Sequence, residues 1–166
     1  MIPETDLAWA AGFFDGEGCV TVAADGKPRR RLRRTSYRLH ITVSNTKLAP
    51  LERFKTLFGG AVYQQRQNGE KAGLAVDSAG RKASYFWMIP GRAAQRVLAS
   101  LLPYLCTRHE QAAAALAFPI VGRTGNVGLP SHIAAGQAAI YHELRRLNKR
   151  GPEPYAMPAA ATGSTT

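Results

Sequence analysis

Cysteine is nearly missing from this 166-residue chain: only Cys19 and Cys106 occur, far apart and outside any CxxC spacing. That excludes a zinc ribbon and a disulfide framework, and it fits a reducing compartment. Long apolar runs are missing too, none approaching the ~18 residues that a membrane span needs. The first six residues are short and acidic, not a basic-then-apolar leader. The expectation is an intracellular protein that is not secreted and has no membrane partner. Acidic residues are scarce: 11 Asp plus Glu face 22 Lys plus Arg, leaving a net charge of +11. A charge of that size on so small a body points to a polyanion, with nucleic acid the first candidate and an anionic membrane surface the second. Ala, Gly, Arg and Pro, all with GC-rich codons, are abundant. Their abundance favours a bacterial or archaeal cytoplasm over an AT-rich organelle.

The chain does have the makings of one globular domain. Its 45% hydrophobic and 20% charged residues are those of a folded protein. Residues 1–150 are expected to form that domain, and 151–166, rich in Pro, Ala, Ser and Thr, a disordered tail. A first helix is predicted over residues 5–14, capped by Thr5 or Asp6 and stopped by Gly16 and Gly18. Residues 19–23 read as a strand. The clearest strand follows, where Tyr37, Leu39, Ile41 and Val43 alternate with Ser36, Arg38, His40, Thr42 and Ser44. Between these two lies a hairpin tip with six basic residues in the eight positions from Lys27. A helix over 48–57, ended by Gly59-Gly60, precedes strands at 61–66 and 84–89. A short extra strand is expected near 74–76 in the loop between them. Helices at 92–102, 108–118 and 132–147 complete the order. The expected fold is α+β: αββαββα with a four-stranded antiparallel sheet, helices on one face, and further C-terminal helices.

The segment Ala10-Ala11-Gly12-Phe13-Phe14-Asp15-Gly16-Glu17-Gly18 breaks local rules. Leu7, Ala10, Phe13 and Phe14 suit a core-facing stripe. Ala8, Ala11, Gly12 and Asp15 suit a second stripe of small residues that lets another helix backbone approach. Asp15 and Glu17 sit at the helix C-terminus, where the macrodipole disfavours carboxylates. If the small stripe pairs with its own twofold copy, four carboxylates converge, a crowding that hard divalent cations relieve.

This segment resembles the LAGLIDADG motif of homing endonucleases, in the variant ending D-G-E-G. Agreement falls at Ala11, Gly12, Asp15 and Gly18. The resemblance continues through Leu39-His40-Ile41-Thr42-Val43-Ser44-Asn45 and through Leu102-Pro103-Tyr104-Leu105 with Gln111-Ala112. A single copy of the motif places it with the homodimeric members, which recognise near-palindromic double-stranded DNA. The resemblance implies Glu17 as metal ligand with the Gly16 carbonyl beside it, for Mg²⁺ or another divalent cation such as Mn²⁺. It implies Asp15 as the first, more structural acid, and Asn45 as the residue that places the attacking water. The family's usual Lys after Pro-x-Leu is replaced by Cys106. Arg108 is the nearest base, and Lys47 is another candidate. Cys106 itself reads as a small packing residue.

DNA is then expected on the polar sheet face. Ser36, Arg38, His40 and Thr42, with Gln64 and Arg66 on the third strand, are the expected base contacts. Lys27, Arg29, Arg30, Arg31, Arg33 and Arg34 are expected to clamp phosphates. Tyr85, Phe86 and Trp87 are expected in the core. Ala8, Ala11 and Gly12 form the expected dimer interface. The alternative is an RNA-binding intron maturase on the same fold, whose partner would be its host intron RNA. A regulator with a degenerate copy of the domain is disfavoured, because no helix-turn-helix module fits after Leu147.

Overall fold

The computed structural model describes residues 2–25, 35–65, 82–122 and 129–149. Its elements are α1 (Glu4–Glu17), β1 (Gly18–Asp25), β2 (Ser36–Asn45), α2 (Leu48–Phe58), β3 (Ala61–Gln64), β4 (Tyr85–Pro90), α3 (Gly91–Leu101), α4 (His109–Leu116) and α5 (Ser131–Leu147). A 3₁₀ turn, Leu102–Tyr104, built around Pro103, joins α3 to the approach to α4. The expected αββαββα order with added C-terminal helices is therefore the one observed. The basic tip 26–34, Arg66, the extra strand near 74–76 and the tail 151–166 lie outside the described residues.

The four strands form one antiparallel sheet in the order β1-β2-β4-β3. Directly paired residues share a face, so the register sorts every side chain. Val20 pairs with Ile41 and Val22 with Leu39, while Val43 pairs with Trp87 and Ile41 with Ile89. All are buried and, with Phe14, Leu51, Phe54, Leu98 and Leu101 from the helices, make one core. The helices pack on that face of the sheet.

Two glycines carry the turn from α2 into β3. Gly59 and Gly60 have φ of +77° and +81°, and a Cβ on Gly60 would lie 2.6 Å from the Met88 carbonyl oxygen. The Gly59 carbonyl accepts a 2.7 Å bond from Trp87 Nε1, which satisfies the polar atom of the largest buried side chain. Trp9, Phe13, Phe54, Phe58 and Trp87 then form a continuous aromatic cluster between α1, α2 and β4. The Arg53 guanidinium lies over the face of Trp9, 4.0 Å from the ring centroid, while pairing with Asp6. Asp6 thus ties α1 to α2 and does not cap the helix; the N-cap is Pro3.

The end of α4 is closed from outside the helix. Gln95 Nε2 lies 3.1, 3.1 and 2.8 Å from the carbonyl oxygens of Ala115, Leu116 and Phe118, which cluster where α4 ends. Gln95→Leu, similar in size but unable to donate, is expected to lower unfolding free energy by about 1–3 kcal/mol. Urea denaturation measures it; an unchanged midpoint would show that water replaces the amide without cost.

Candidate functional site

Helix α1 does not stop at Gly16. It runs to Glu17, and Gly18 leaves it in an extended conformation (φ −82°, ψ 153°). Gly18 is required here, because a Cβ would lie 2.4 Å from the Phe14 carbonyl oxygen and 2.6 Å from its ring. Gly16 is exposed, in open space. Both acids therefore sit in the last turn of one helix, at the point where the chain enters the sheet.

The two acids have different surroundings. Asp15 is engaged at every side-chain oxygen. Its Oδ2 accepts from the Cys106 amide at 2.7 Å, and its Oδ1 from the amides of Thr107 at 3.0 Å and Arg108 at 2.9 Å. The Thr107 hydroxyl lies 3.1 Å from both Oδ1 and the Asp15 carbonyl oxygen. These amides lead into α4, so a carboxylate disfavoured at the C-terminus of α1 is favoured at the N-terminus of α4. Burial by itself raises the Asp15 pKa. The hydrogen bonds from Cys106, Arg108 and Thr107 outweigh it and hold the carboxyl below its ordinary value. Asp15, grouped with the catalytic residues on sequence, is placed here as a clamp on the loop before α4, with both carboxylate oxygens accepting hydrogen bonds.

Glu17 is exposed, and no side chain among the described residues bonds its carboxylate. Beside it, the Gly16 carbonyl is one of those that helix geometry leaves without an intrahelical donor. A free carboxylate next to a free carbonyl is the oxygen donor set that suits Mg²⁺, Mn²⁺ or Ca²⁺. Among the described residues no group of three or more His, Cys, Asp or Glu gathers to hold a metal. One protomer thus offers a single free carboxylate at this point.

The other candidates gather at the same end of the sheet. Gly18 pairs with Val43, so Asn45 lies two residues further along β2, toward Glu17. Asn45 Oδ1 accepts from the Lys47 amide at 2.8 Å, which forms the turn into α2. Arg108 is anchored by its own amide to Asp15, and its Nε is buried with no hydrogen-bond partner among the described residues. Cys106 is held by its backbone and its side chain is exposed, so it is not a packing residue.

The proposed dimer stripe divides. Ala8 and Gly12 are exposed, in line with Thr5 and Gly16, while Ala11 is 0% exposed. Ala11 falls on the Leu7–Phe14 side of α1 at the i, i+4, i+7 spacing and belongs to the core of its own protomer. Its assignment to an interface is corrected.

Among the described residues, no helix packs on the opposite face of the sheet. Ser36 and Arg38 are exposed and His40 and Thr42 half-buried on that face, as expected. Gln64 is not with them. It pairs with Tyr85, on the same face as the Val62–Trp87 pair, whereas Tyr63 pairs with Phe86 on the open face. The strand frame is thus shifted by one residue from the expected one, because Val62 must face Trp87. Tyr63 and Phe86 stack with ring centroids 5.3 Å apart. Phe86 therefore leaves the core to which the sequence assigned it. Cys19, Thr21 and Met88 join the same face, a position that only the register reveals.

Residues 10–86 match the family model of the LAGLIDADG endonucleases. A search of curated protein sequences returns no match. Among solved structures, this chain is similar to the homing endonuclease I-CvuI bound to its target in the presence of 2 mM Ca. That match has TM-score 0.65 and 22% identity over 89% of this chain and 85% of that one. I-CvuI with the I-CreI target and 2 mM Mg, its DNA not cleaved, matches with TM-score 0.64 and 20% identity, covering 90% and 85%. An archaeal intron-encoded homing endonuclease complexed with DNA matches with TM-score 0.59 and 12% identity over 92% and 89%. The LAGLIDADG homing endonuclease I-GzeII, in complex with a DNA target, matches with TM-score 0.53 and 10% identity. There 84% of this chain covers only 43% of the other. At these identities the structures establish a shared fold.

Proposed function

We propose that this chain is a homodimeric homing endonuclease of the LAGLIDADG kind, a reading supported by the family-model match over residues 10–86. In this reading it binds a long near-palindromic double-stranded DNA site and hydrolyses one phosphodiester bond in each strand. The observation that carries the reading is Glu17: an exposed carboxylate with no partner among the described residues, at a helix end that disfavours it, beside a clamped neighbour.

A second copy supplies what one protomer lacks. Pairing α1 with its twofold mate along Ala8 and Gly12 brings two Glu17 carboxylates and two Gly16 carbonyls to one centre. Divalent cations held there would neutralise charge on the scissile phosphate and lower the pKa of water. The remaining work falls to the chain's own groups. The Asn45 amide nitrogen, with its oxygen tied to Lys47, orients the attacking water. Arg108, set by the Asp15 clamp, offers positive charge to the phosphate. The chain's match to less than half of I-GzeII supports a two-copy assembly, since a longer relative contains room for two such units.

The open sheet face is the DNA surface in this reading. From Ser36 to Ser44, β2 spans about 27 Å, comparable to about eight base pairs. The basic segment Lys27–Arg34, which joins β1 to β2 in the sequence, is assigned the clamping of phosphates in this reading.

Selection of cleaved molecules from a randomised palindromic DNA library with Mg²⁺ tests the proposal. A single enriched symmetric site is expected, and absence of any cleaved duplex would refute it. Gly12→Leu is expected to abolish the dimer in analytical ultracentrifugation. The protomer should fold as before, because a Cβ at Gly12 meets nothing within 4 Å. A persistent dimer would place the interface elsewhere.

A further inference from the structure

We infer that the open face reads DNA with two chemistries arranged along its strands: apolar contact to thymine methyl groups near Glu17, and hydrogen bonding further away. The inference rests on the nuclease reading above and deepens it.

The register lays the face out in rows. Nearest the Glu17 end, Ser44 pairs with Phe86, and Phe86 with Tyr63. The next row joins Thr42, Met88 and Ala61. Beyond it, Thr21 faces His40 and Ala23 faces Arg38. Polarity thus changes along one face, from aromatic and aliphatic at the acidic end to imidazole and guanidinium at the other.

The Tyr63–Phe86 pair has no structural need to be there. The core lies on the opposite face and is filled by their neighbours Val62 and Trp87. Tyr63 is 46% exposed, and its ring stacks on Phe86 at an interplanar angle of 27°. An aromatic pair of which Tyr63 is exposed and Phe86 half-buried, on a face that carries no helix among the described residues of a chain with net charge +11, calls for an occupant both polyanionic and locally apolar. The major groove is such a surface: the thymine C5-methyl is its one apolar group, and Phe, Ala and the Thr methyl are side chains that meet it. Continuity with Glu17 places this patch against the base pairs flanking the cleavage point. His40 and Arg38 then face the outer half-site, where ring nitrogens and guanidinium suit purine acceptors.

The test uses the full-length protein and the duplex obtained by selection. Replacing each thymine by deoxyuridine removes only the methyl group. Binding is expected to weaken about fourfold per methyl at the inner half-site positions, and to stay unchanged at the outer ones. In Tyr63→Ser and Phe86→Ser proteins, shown to be folded by circular dichroism, that inner sensitivity should disappear. Tyr63→Ser, at an exposed position on an edge strand, serves if Phe86→Ser does not fold. Inner sites selected without thymine, inner deoxyuridine without effect, or variants that keep the sensitivity would each overturn the inference. Those results leave the nuclease reading standing. Failure to select any duplex refutes the nuclease reading itself and this inference with it.

Discussion

Glu17→Gln is expected to reduce strand cleavage on the order of 10³-fold or more while DNA binding stays intact or tightens slightly. The substitution keeps the shape of the side chain and removes only its charge. Among the described residues Glu17 makes no side-chain bond, so nothing described in the fold depends on that charge. Thermal stability should therefore match the unsubstituted protein. In the proposed dimer the same change removes two carboxylates from one centre and with them the anionic oxygens that hold a divalent cation. Binding should not suffer, because an anion facing phosphates opposes association. Gel-shift and cleavage assays on the selected duplex separate the two effects. Mg²⁺-dependent cutting at the original rate by Glu17→Gln would remove Glu17 from the metal site.

Asp15→Ala is expected to give the opposite profile, with a loss of stability of about 2 kcal/mol and a loss of cleavage that follows from it. The carboxylate caps three backbone amides and meets a hydroxyl across a sequence distance of more than 90 residues. Several of these groups reach water when released, which keeps the cost to that of a helix cap. Asp15→Asn should fall between. It retains one acceptor for Thr107 and Arg108, but presents an amide donor where the Cys106 amide also donates. The pH dependence has a definite sign. Since hydrogen bonding depresses the Asp15 pKa in the fold, its contribution is full above the unfolded value of about 3.8. It is lost as the pH falls through the lower folded value. Acid unfolding of Asp15→Ala should therefore be shallower than that of the unsubstituted protein between pH 5 and 2 or so. An identical acid limb would show that the clamp contributes nothing.

Together these substitutions separate the two acids of one motif. Glu17→Gln should alter chemistry without altering stability; Asp15→Ala should alter stability and, by freeing the Arg108 loop, chemistry as well. If Arg108 acts only through that placement, Asp15→Ala should lower kcat with the DNA dissociation constant nearly unchanged.

Much of this was legible in the sequence for reasons that are local. Period-two alternation from Ser36 to Ser44 made β2 and its two faces readable, because side chains in a strand must alternate. The α2 stripe and the Gly59-Gly60 stop were equally plain. The helix end that carries two acids stood out because it defied its own dipole. Elsewhere local signals misled. Gly16 suggested an earlier end to α1, yet the core contacts of Phe14 and the approach to Gly18 carry the helix past it. Counting β3 from its own residues put Gln64 on the wrong face, since four residues hold too little alternation to set a frame.

The sequence by itself determined the element order, the antiparallel α+β architecture, the basic character of the molecule and the location of its acidic helix end. These follow from spacing and charge along a few residues. Tertiary structure alone decided that Asp15 is occupied and Glu17 free, because the amides that occupy Asp15 arrive from Cys106 to Arg108. It also decided that Ala11 is core while Ala8 and Gly12 are surface, and that Tyr63 and Phe86 share the open face. In each case the deciding partner is distant in sequence, and no local pattern records which side of a helix or strand that partner will cover.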